Sequence, residues 1–236
     1  MRLRAHPFRS TPLAALLLAA SAITAGPAAA LASDGSGTSA AATSAPVAPA
    51  AATLTRLFTD PYTNSAAEHA TEVEPDIYAW GNTLVADFQV GRFSGGGADD
   101  IGWATSIDGG TSWTHGYLPG ITTFQGGGSC ARVSDPTVAY DPKYGVWLAQ
   151  GLDIAAGINA DGVSVNSSSN GTTWANPVSV AKATGSGGFD KDWITCDTTA
   201  TSPHYGNCYS EWDITSSGDQ VVMSTSTDGG KTWSAP

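Results

Sequence analysis

The side chains best suited to chemistry in this sequence are an arginine followed by two adjacent carboxylates. Arg92 comes seven and eight residues before Asp99 and Asp100, and a glycine-rich stretch lies between them. Adjacent carboxylates repel each other, and this repulsion raises the pKa of one of them, so that it can act as a proton donor. A guanidinium group binds anionic groups. The simpler interpretations are a solvated loop for the two aspartates and a structural ion pair for Arg92.

A second group of charged residues precedes strand-like segments or follows a glycine-rich stretch. The group consists of Glu74, Arg132, Asp135, Asp190, Lys191 and Asp192. Together with Arg92, we treat Glu74, Arg132, Asp135 and Asp192 as candidates for binding a substrate. The alternative for the acids is that they accept hydrogen bonds from backbone N–H groups where the strands begin.

Metal and cofactor chemistry is not indicated. His69, His115 and His204 show no ligand spacing. The Asp-Gly-Gly turns at Asp108 and Asp228 each supply a single carboxylate, which is too few hard ligands for calcium. The sequence therefore predicts no metal and no cofactor.

An internal repeat defines the elements that position these residues. Three octapeptides carry it: SIDGGTSW (Ser106–Trp113), SSSNGTTW (Ser167–Trp174) and STDGGKTW (Ser226–Trp233). Their tryptophans are 61 residues apart (174 minus 113) and then 59 apart (233 minus 174). The second copy has Ser169 where the other two have aspartate.

Each octapeptide follows a strand-like run and two further such runs upstream, and a short fourth run comes after it. Four antiparallel strands at a fixed period, with one tryptophan per unit, are typical of β-propeller blades. The sequence therefore predicts an all-β fold with a partial propeller over residues 54–236, its blades at about 70–120, 130–182 and 188–236. Three blades do not close a ring, so we interpret the sequence as a fragment of a protein with six.

The octapeptides are expected to be structural turns. An aspartate accepts hydrogen bonds from unpaired N–H groups, glycine supplies positive φ, and a buried indole contributes about 4 to 6 kcal/mol before entropy. The residues assigned to this role are Ser106, Asp108, Gly110, Trp113, Ser167, Gly171, Trp174, Ser226, Asp228, Gly230 and Trp233. In a four-stranded meander these turns share one end of the blade, so the charged candidates belong to the opposite rim.

From Val73 to Trp113 the sequence resembles the first blade of exo-sialidases, and the octapeptides resemble the Asp-box, or BNR, repeats of the sialidase (neuraminidase) superfamily. In that family an Arg-Ile-Pro motif opens the blade, a strand ends in a second substrate-contacting arginine, and a loop aspartate follows as acid/base. The resemblance implies that Arg92 contacts the substrate and that Asp99 or Asp100 is the catalytic proton donor.

The resemblance breaks at the first motif. Glu74-Pro75-Asp76 stands where Arg-Ile-Pro is expected, so the first of the arginines that grip the sialic acid carboxylate is missing. A glutamate there repels that carboxylate. The family's tyrosine nucleophile and its glutamate partner are expected beyond Pro236.

These features predict an exo-α-sialidase-like glycoside hydrolase that releases terminal sugars from extracellular glycans, with catalytic machinery incomplete in this chain. One alternative is a non-catalytic propeller that binds extracellular glycan or protein on the same rim. Another is a glycosidase for neutral sugars, because an acidic rim suits an oxocarbenium-like transition state.

The N-terminal region reads as an export signal. Residues 1–32 combine a basic start, an apolar core and the small residues Ala30-Leu31-Ala32, and residues 33–53 form a disordered Ala/Ser/Thr/Pro linker. The apolar run is shorter than the roughly 20 residues that span a bilayer, so a membrane anchor is disfavoured. We therefore predict a secreted protein that is cleaved near Ala32 and has no membrane span in the mature chain.

The charge balance argues against a nucleic acid partner. The chain of 236 residues has 10 Lys and Arg against 21 Asp and Glu, and removal of Arg2, Arg4 and Arg9 with the signal leaves 7 against 21. Such an acidic surface repels phosphate.

The cysteines fit an exported protein. Cys196 and Cys208 fall on neighbouring strands of the third unit, so a disulfide between them is the preferred pairing. Cys130 is then left over. A bond between Cys130 and Cys196, or between Cys130 and a cysteine outside this sequence, stays open.

Overall fold

A computed structural model describes residues 54–185 and 187–236. The predicted signal peptide, 1–32, and linker, 33–53, lie outside the described residues. The described part is built from strands, with one short 3₁₀ turn at Thr215–Ser217, and the prediction of an all-β fold is confirmed. It contains no helix long and apolar enough to cross a membrane.

The strands form three antiparallel meanders in chain order. The first sheet consists of β1 (Val73–Trp80), β2 (Thr83–Arg92), β3 (Ala98–Ser106) and β4 (Thr114–Tyr117). The second consists of β5 (Arg132–Asp141), β6 (Val146–Ile154), β7 (Gly162–Ser168) and β8 (Val178–Lys182), and the single pair Ala98–Val133 joins its β5 to β3 of the first sheet. The third consists of β9 (Phe189–Cys196), β10 (Cys208–Ile214) and β11 (Gln220–Ser226).

The three sheets pack side by side, with their first strands β1, β5 and β9 in contact. Val85 and Trp147 belong to the apolar cluster between the first and second sheets. Leu148 and Trp212 belong to the cluster between the second and third sheets. Burial of these side chains supplies the main driving force for packing, at about 25 cal/mol per Å² of apolar area.

The first and third tryptophan-containing turns have matching hydrogen bonds. In the first, Ser106 Oγ accepts the Gly110 N–H at 2.8 Å and Asp108 Oδ1 accepts the Ser112 N–H at 2.9 Å. Trp113 Nε1 donates to the Gly110 carbonyl at 3.1 Å. The third turn repeats these bonds with Ser226, Asp228, Gly230, Thr232 and Trp233.

The second turn differs from its prediction by one residue. Ser168 Oγ, not Ser167, accepts the Gly171 N–H at 2.8 Å, and Asn170 Oδ1 accepts the Thr172 N–H at 2.9 Å. The turn has one glycine where the others have two, so the capping serine and the acceptor both shift toward Gly171. Asn170, and not Ser169, thereby fills the aspartate position.

Each later turn packs against the sheet before it. Thr105 Oγ1 on β3 donates to the Gly171 carbonyl at 2.6 Å, and a Cβ on Gly171 would lie 2.9 Å from Val85. A Cβ on Gly230 would lie 2.6 Å from Leu148 on β6. The turns thus fix the spacing between neighbouring sheets.

The segment before β1 covers the outer face of the first sheet. The Phe58 ring lies edge-on to Phe88, His115 and Tyr117, with centroid distances of 5.0 to 5.3 Å. His115 stays exposed to solvent and forms one wall of this aromatic cluster. The apolar core of the first sheet therefore includes residues from outside the repeat.

Cys196 and Cys208 lie directly opposite each other on β9 and β10 and are joined by a disulfide with an S–S distance of 2.08 Å. Cys130 is a free thiol in the described part of the chain. Burial, with a smaller contribution from Asp153 and Asp161, raises the pKa of the Cys130 thiol to about 11.

Candidate functional site

A cavity of about 580 Å³ opens where β1, β5 and β9 begin. We call it the inner-strand cavity. Its walls are Glu74, Pro75, Asp76, Gln89, Arg92, Gly96, Gly97, Ser134, Asp135, Pro136, Asp190, Lys191 and Trp193. All three sheets contribute residues, so the cavity depends on the packing between them.

A bulge distorts the pairing of each inner strand at this cavity. The pairing registers shift between Val73 and Asp76, between Ser134 and Thr137, and opposite Glu211 and Asp213. One residue in each bulge has positive φ although it is not glycine: Glu74 at 52°, Asp135 at 47° and Lys191 at 31°. A bulge re-aims the side chain that it carries, and here all three side chains line the cavity.

The first two sheets meet in a short polar chain at the cavity wall. Gln89 Nε2 donates to Glu74 Oε2 at 2.6 Å and to Ser134 Oγ at 3.2 Å, and Ser134 Oγ donates to Asp135 Oδ1 at 2.5 Å. Partial burial raises the pKa of Glu74, and the Asp135 carboxylate adds to the effect. Gln89 is itself 1% exposed, and its Oε1 has no hydrogen-bond partner within residues 54–185 and 187–236.

The cationic and aromatic groups of the cavity come from β2 and β9. Arg92 Nη1 lies 3.6 Å from Glu68 Oε2, which forms an ion pair at the edge of the cavity. Lys191 Nζ lies 5.2 Å from the centre of the Trp193 ring. Trp193 is 43% exposed, so its indole presents an open apolar surface to a ligand.

Two of the predicted substrate-binding residues lie away from the cavity. Arg132 packs over the Phe93 ring at 4.1 Å and donates to the Gly96 carbonyl at 2.9 Å, so it holds the loop between β2 and β3. Asp192 is fully buried behind the bulge, and its carboxylate oxygens have no hydrogen-bond partner among the described residues. Burial raises the pKa of Asp192 well above its usual range, and Asp135 adds to the effect.

The predicted acids Asp99 and Asp100 lie in strand β3, not in a loop, and both are fully buried. Asp100 accepts hydrogen bonds from the Tyr62 hydroxyl at 3.0 Å and from the Ile101 N–H at 2.8 Å, and Asn64 Nδ2 donates to Asp99 at 3.1 Å. Burial raises the pKa of Asp99 to about 6 and that of Asp100 to about 7. Neither residue lines the inner-strand cavity, because the segment before β1 covers them.

Gln89, Ser134 and Trp193 line the cavity although no sequence pattern singles them out. Gln89 and Ser134 are ordinary polar residues within strands. Pairing of β2 with β1 brings Gln89 to Glu74, and packing of the second sheet against the first brings Ser134 to Gln89. Trp193 lies outside the repeated octapeptides, so the repeat pattern does not indicate that its side chain lies at the surface. Asp190 was noted at the start of a strand, and the structure places it in the cavity wall.

The described residues contain no group of three or more His, Cys, Asp or Glu side chains arranged to hold a metal ion. The carboxylates at the cavity are held by backbone and side-chain donors. Asp76 accepts the Val138 N–H at 3.0 Å, and Asp190 accepts the Lys191 N–H at 3.0 Å.

No protein-family model and no curated protein matches the sequence. Among solved structures, the chain is similar to the Hadza microbial sialidase Hz136, with a TM-score of 0.51 and 17% identity over 69% of this chain and 36% of that one. It is also similar to Trypanosoma rangeli sialidase in complex with sialic acid, with a TM-score of 0.50 and 17% identity over 76% of this chain and 33% of that one. The chain thus spans about a third of the length of these sialidases. Its fold is sialidase-like.

Proposed function

We propose that the chain forms part of a secreted β-propeller that processes extracellular glycans, with the inner-strand cavity as the sugar site. One observation carries the proposal: equivalent bulges in three sheets hold charged, non-glycine residues at positive φ around one cavity. Backbone strain of this kind persists where a ligand site requires it. The sialidase-like fold makes a glycan the first ligand class to test.

The wider architecture follows from the repeat. Tryptophan turns follow the third strand of each meander, with matching hydrogen bonds at Trp113 and Trp233, and this recurrence supports blades with Asp-box turns around a common axis. The signal-like start, with cleavage near Ala32, and the disulfide between Cys196 and Cys208 support export. The acidic charge balance supports a partner other than nucleic acid.

The chemistry that the cavity supports best is hydrolysis of a glycosidic bond by a pair of carboxyl groups. Glu74, whose pKa is raised, is the proton donor to the leaving glycosidic oxygen. Asp135, which accepts a hydrogen bond from Ser134 Oγ, is the carboxylate that stabilises positive charge at the anomeric carbon or removes a proton from the attacking water. Trp193 provides the surface on which the sugar ring packs.

This assignment replaces the acid/base role predicted for Asp99 and Asp100. Those carboxyl groups are buried beneath the segment that contains Tyr62 and Asn64. Their position favours the second candidate, a propeller that binds glycan without cleaving it, since the aspartate expected from the sialidase resemblance does not reach the cavity. Measurements of turnover and of binding separate the two candidates.

The test is hydrolysis of 4-nitrophenyl glycosides of neutral, amino and sialic sugars by the whole protein. Removal of a catalytic acid or base typically lowers the rate by about 10² to 10⁴-fold, so we expect Glu74→Gln and Asp135→Asn each to lose activity on that scale. Asp219→Asn, an exposed aspartate outside the cavity with a φ of 57°, is the control and keeps full activity.

Three other outcomes contradict all or part of the proposal. Loss of activity in Asp99→Asn or Asp100→Asn, with Glu74→Gln unaffected, supports the resemblance-based acid instead. Glycan binding without turnover supports the non-catalytic candidate. Full activity in Glu74→Gln and Asp135→Asn together removes the cavity from the reaction.

A further inference from the structure

The inner-strand cavity has an excess of acceptors and negative charge over donors. Its walls include four carboxyl groups, from Glu74, Asp76, Asp135 and Asp190, against the two cations Arg92 and Lys191, and three carboxylates remain when Glu74 is protonated. A sugar that carries a carboxylate meets repulsion at this wall. A sugar that carries hydrogen-bond donors and a positive charge meets complementary groups.

The two cations are already engaged by neighbouring groups. Arg92 pairs with Glu68 at 3.6 Å, and Lys191 lies over the Trp193 ring at 5.2 Å. Arg132, the other arginine predicted for this rim, binds the Gly96 carbonyl and Phe93 instead. No cluster of free guanidinium groups therefore faces the cavity in the described part of the chain.

A buried acceptor in the wall is an independent indication of a ligand that donates hydrogen bonds. The Gln89 side chain is 1% exposed, and its Nε2 is held by Glu74 and Ser134. Its Oε1 has no partner among the described residues. A buried acceptor without a donor destabilises the wall, so it favours a ligand with an N–H or O–H group at this place.

The geometry points to a cationic amino sugar, such as a deacetylated hexosamine unit, as the ligand class of the inner-strand cavity. The sugar ring packs on the Trp193 indole, and its ammonium group lies against Asp135 and Asp190. This inference rests on the proposed function, since it assigns the ligand of the same cavity. It also accounts for Glu74 at the position where the sialidase resemblance expects an arginine.

The experiment is isothermal titration calorimetry of the whole protein with three oligosaccharides. They are a glucosamine tetramer, its fully N-acetylated counterpart and sialyllactose. We expect the glucosamine tetramer to bind about tenfold or more tightly than either of the others, because charge complementarity discriminates against neutral and anionic ligands. Raising the salt concentration should narrow this preference, since the ion pairs are partly exposed.

Asp190→Asn tests the charge contribution, with Asp219→Asn as the matched control. Asp190→Asn should remove most of the preference for the glucosamine tetramer over the acetylated one, whereas Asp219→Asn should keep it. Equal or tighter binding of the acetylated tetramer or sialyllactose overturns the amino-sugar inference and leaves the glycan site standing. Failure of all three sugars to bind overturns the proposed function itself.

Discussion

Glu74, Asp135 and Lys191 each hold a backbone conformation that glycine adopts without steric cost. All three side chains line one cavity, and Ala70 and Asp219 are the other described non-glycine residues with positive φ. Strain at non-glycine residues of this kind costs of order 1 kcal/mol each. Retaining charged side chains at these three places therefore favours a ligand-binding role over a purely structural one.

The substitution Glu74→Gly separates stability from function. Glycine relieves the strain of the positive φ and removes the repulsion between Glu74 and Asp135, and both effects stabilise the folded state. They offset the destabilisation that comes from the larger conformational entropy of glycine in the unfolded chain. We expect the melting temperature in differential scanning calorimetry to stay the same or rise, while hydrolysis and glycan binding fall. Ala70→Gly relieves a φ of 53° outside the cavity and is the control, with binding unaffected. A large drop in the melting temperature of Glu74→Gly, without one in Ala70→Gly, would show that the Glu74 side chain stabilises the fold.

Sequence patterns identify only some of the charged residues that line the cavity. Glu74 and Asp135 stand out because each is a charged residue near the start of a predicted inner strand, and the structure places both in the cavity. Asp99 and Asp100 stand out equally, yet residues before the repeat bury them through Tyr62 and Asn64. The local sequence around an aspartate does not reveal which distant segment will cover it.

At the scale of elements, the tryptophan turns set the distance between sheets. Gly230 and Gly110 occupy the same place in the third and first turns, with φ values of 80° and 92°. A Cβ on Gly230 meets Leu148 at 2.6 Å, whereas one on Gly110 comes no closer than 4.0 Å to a neighbour, the Trp113 ring. The pair therefore distinguishes the cost of backbone strain from the cost of disturbed packing.

We expect Gly230→Ala to lower the free energy of unfolding by about 2 kcal/mol or more, since overpacking adds about 1 to 3 kcal/mol to the strain of positive φ. Gly110→Ala carries the strain alone, so its loss should be smaller by roughly 1 kcal/mol or more. Urea denaturation monitored by tryptophan fluorescence measures both. Equal losses in the free energy of unfolding would mean that a Cβ at Gly230 does not disturb the packing of Leu148.

The repeat period predicted the position of each turn but not its internal geometry. The tryptophans anchor the alignment, and counting back from Trp174 led to Ser167 as the capping serine. The turn has one glycine fewer than its relatives, so Ser168 and Asn170 take over the hydrogen bonds. Asparagine offers the same side-chain oxygen as aspartate, which is why the turn forms without a carboxylate.

At the scale of the whole molecule, buried carboxyl groups couple stability to pH. Burial raises the pKa of Asp99 and Asp153 to about 6 and that of Asp100 to about 7. It raises those of Asp87 and Asp192 well above the usual range. The folded state therefore binds protons more tightly than the unfolded state, so stability should fall as pH rises from about 4 through 7.

Asp100→Asn should flatten that pH dependence. The shift of the Asp100 pKa from 3.8 to about 7 corresponds to about 4 kcal/mol of stability lost across this range. An asparagine keeps the acceptor for the Ile101 N–H and has no proton to lose. Urea unfolding at pH 4 and pH 8 should show a smaller difference for Asp100→Asn than for the parent or for Asp219→Asn. An unchanged difference would mean that Asp100 is not protonated in the folded state near neutral pH.

The covering of the first sheet by the segment around Phe58 has a consequence for synthesis on the ribosome. Phe58 and Phe88 are about 30 residues apart in the chain, which is a shorter separation than that between equivalent turns of neighbouring repeats. The segment around Phe58 therefore leaves the exit tunnel before β2, the strand that it covers. A nascent chain can therefore bury the face around Phe88 as soon as the first sheet has emerged, whereas the face that carries Val85 is covered only when the second sheet follows.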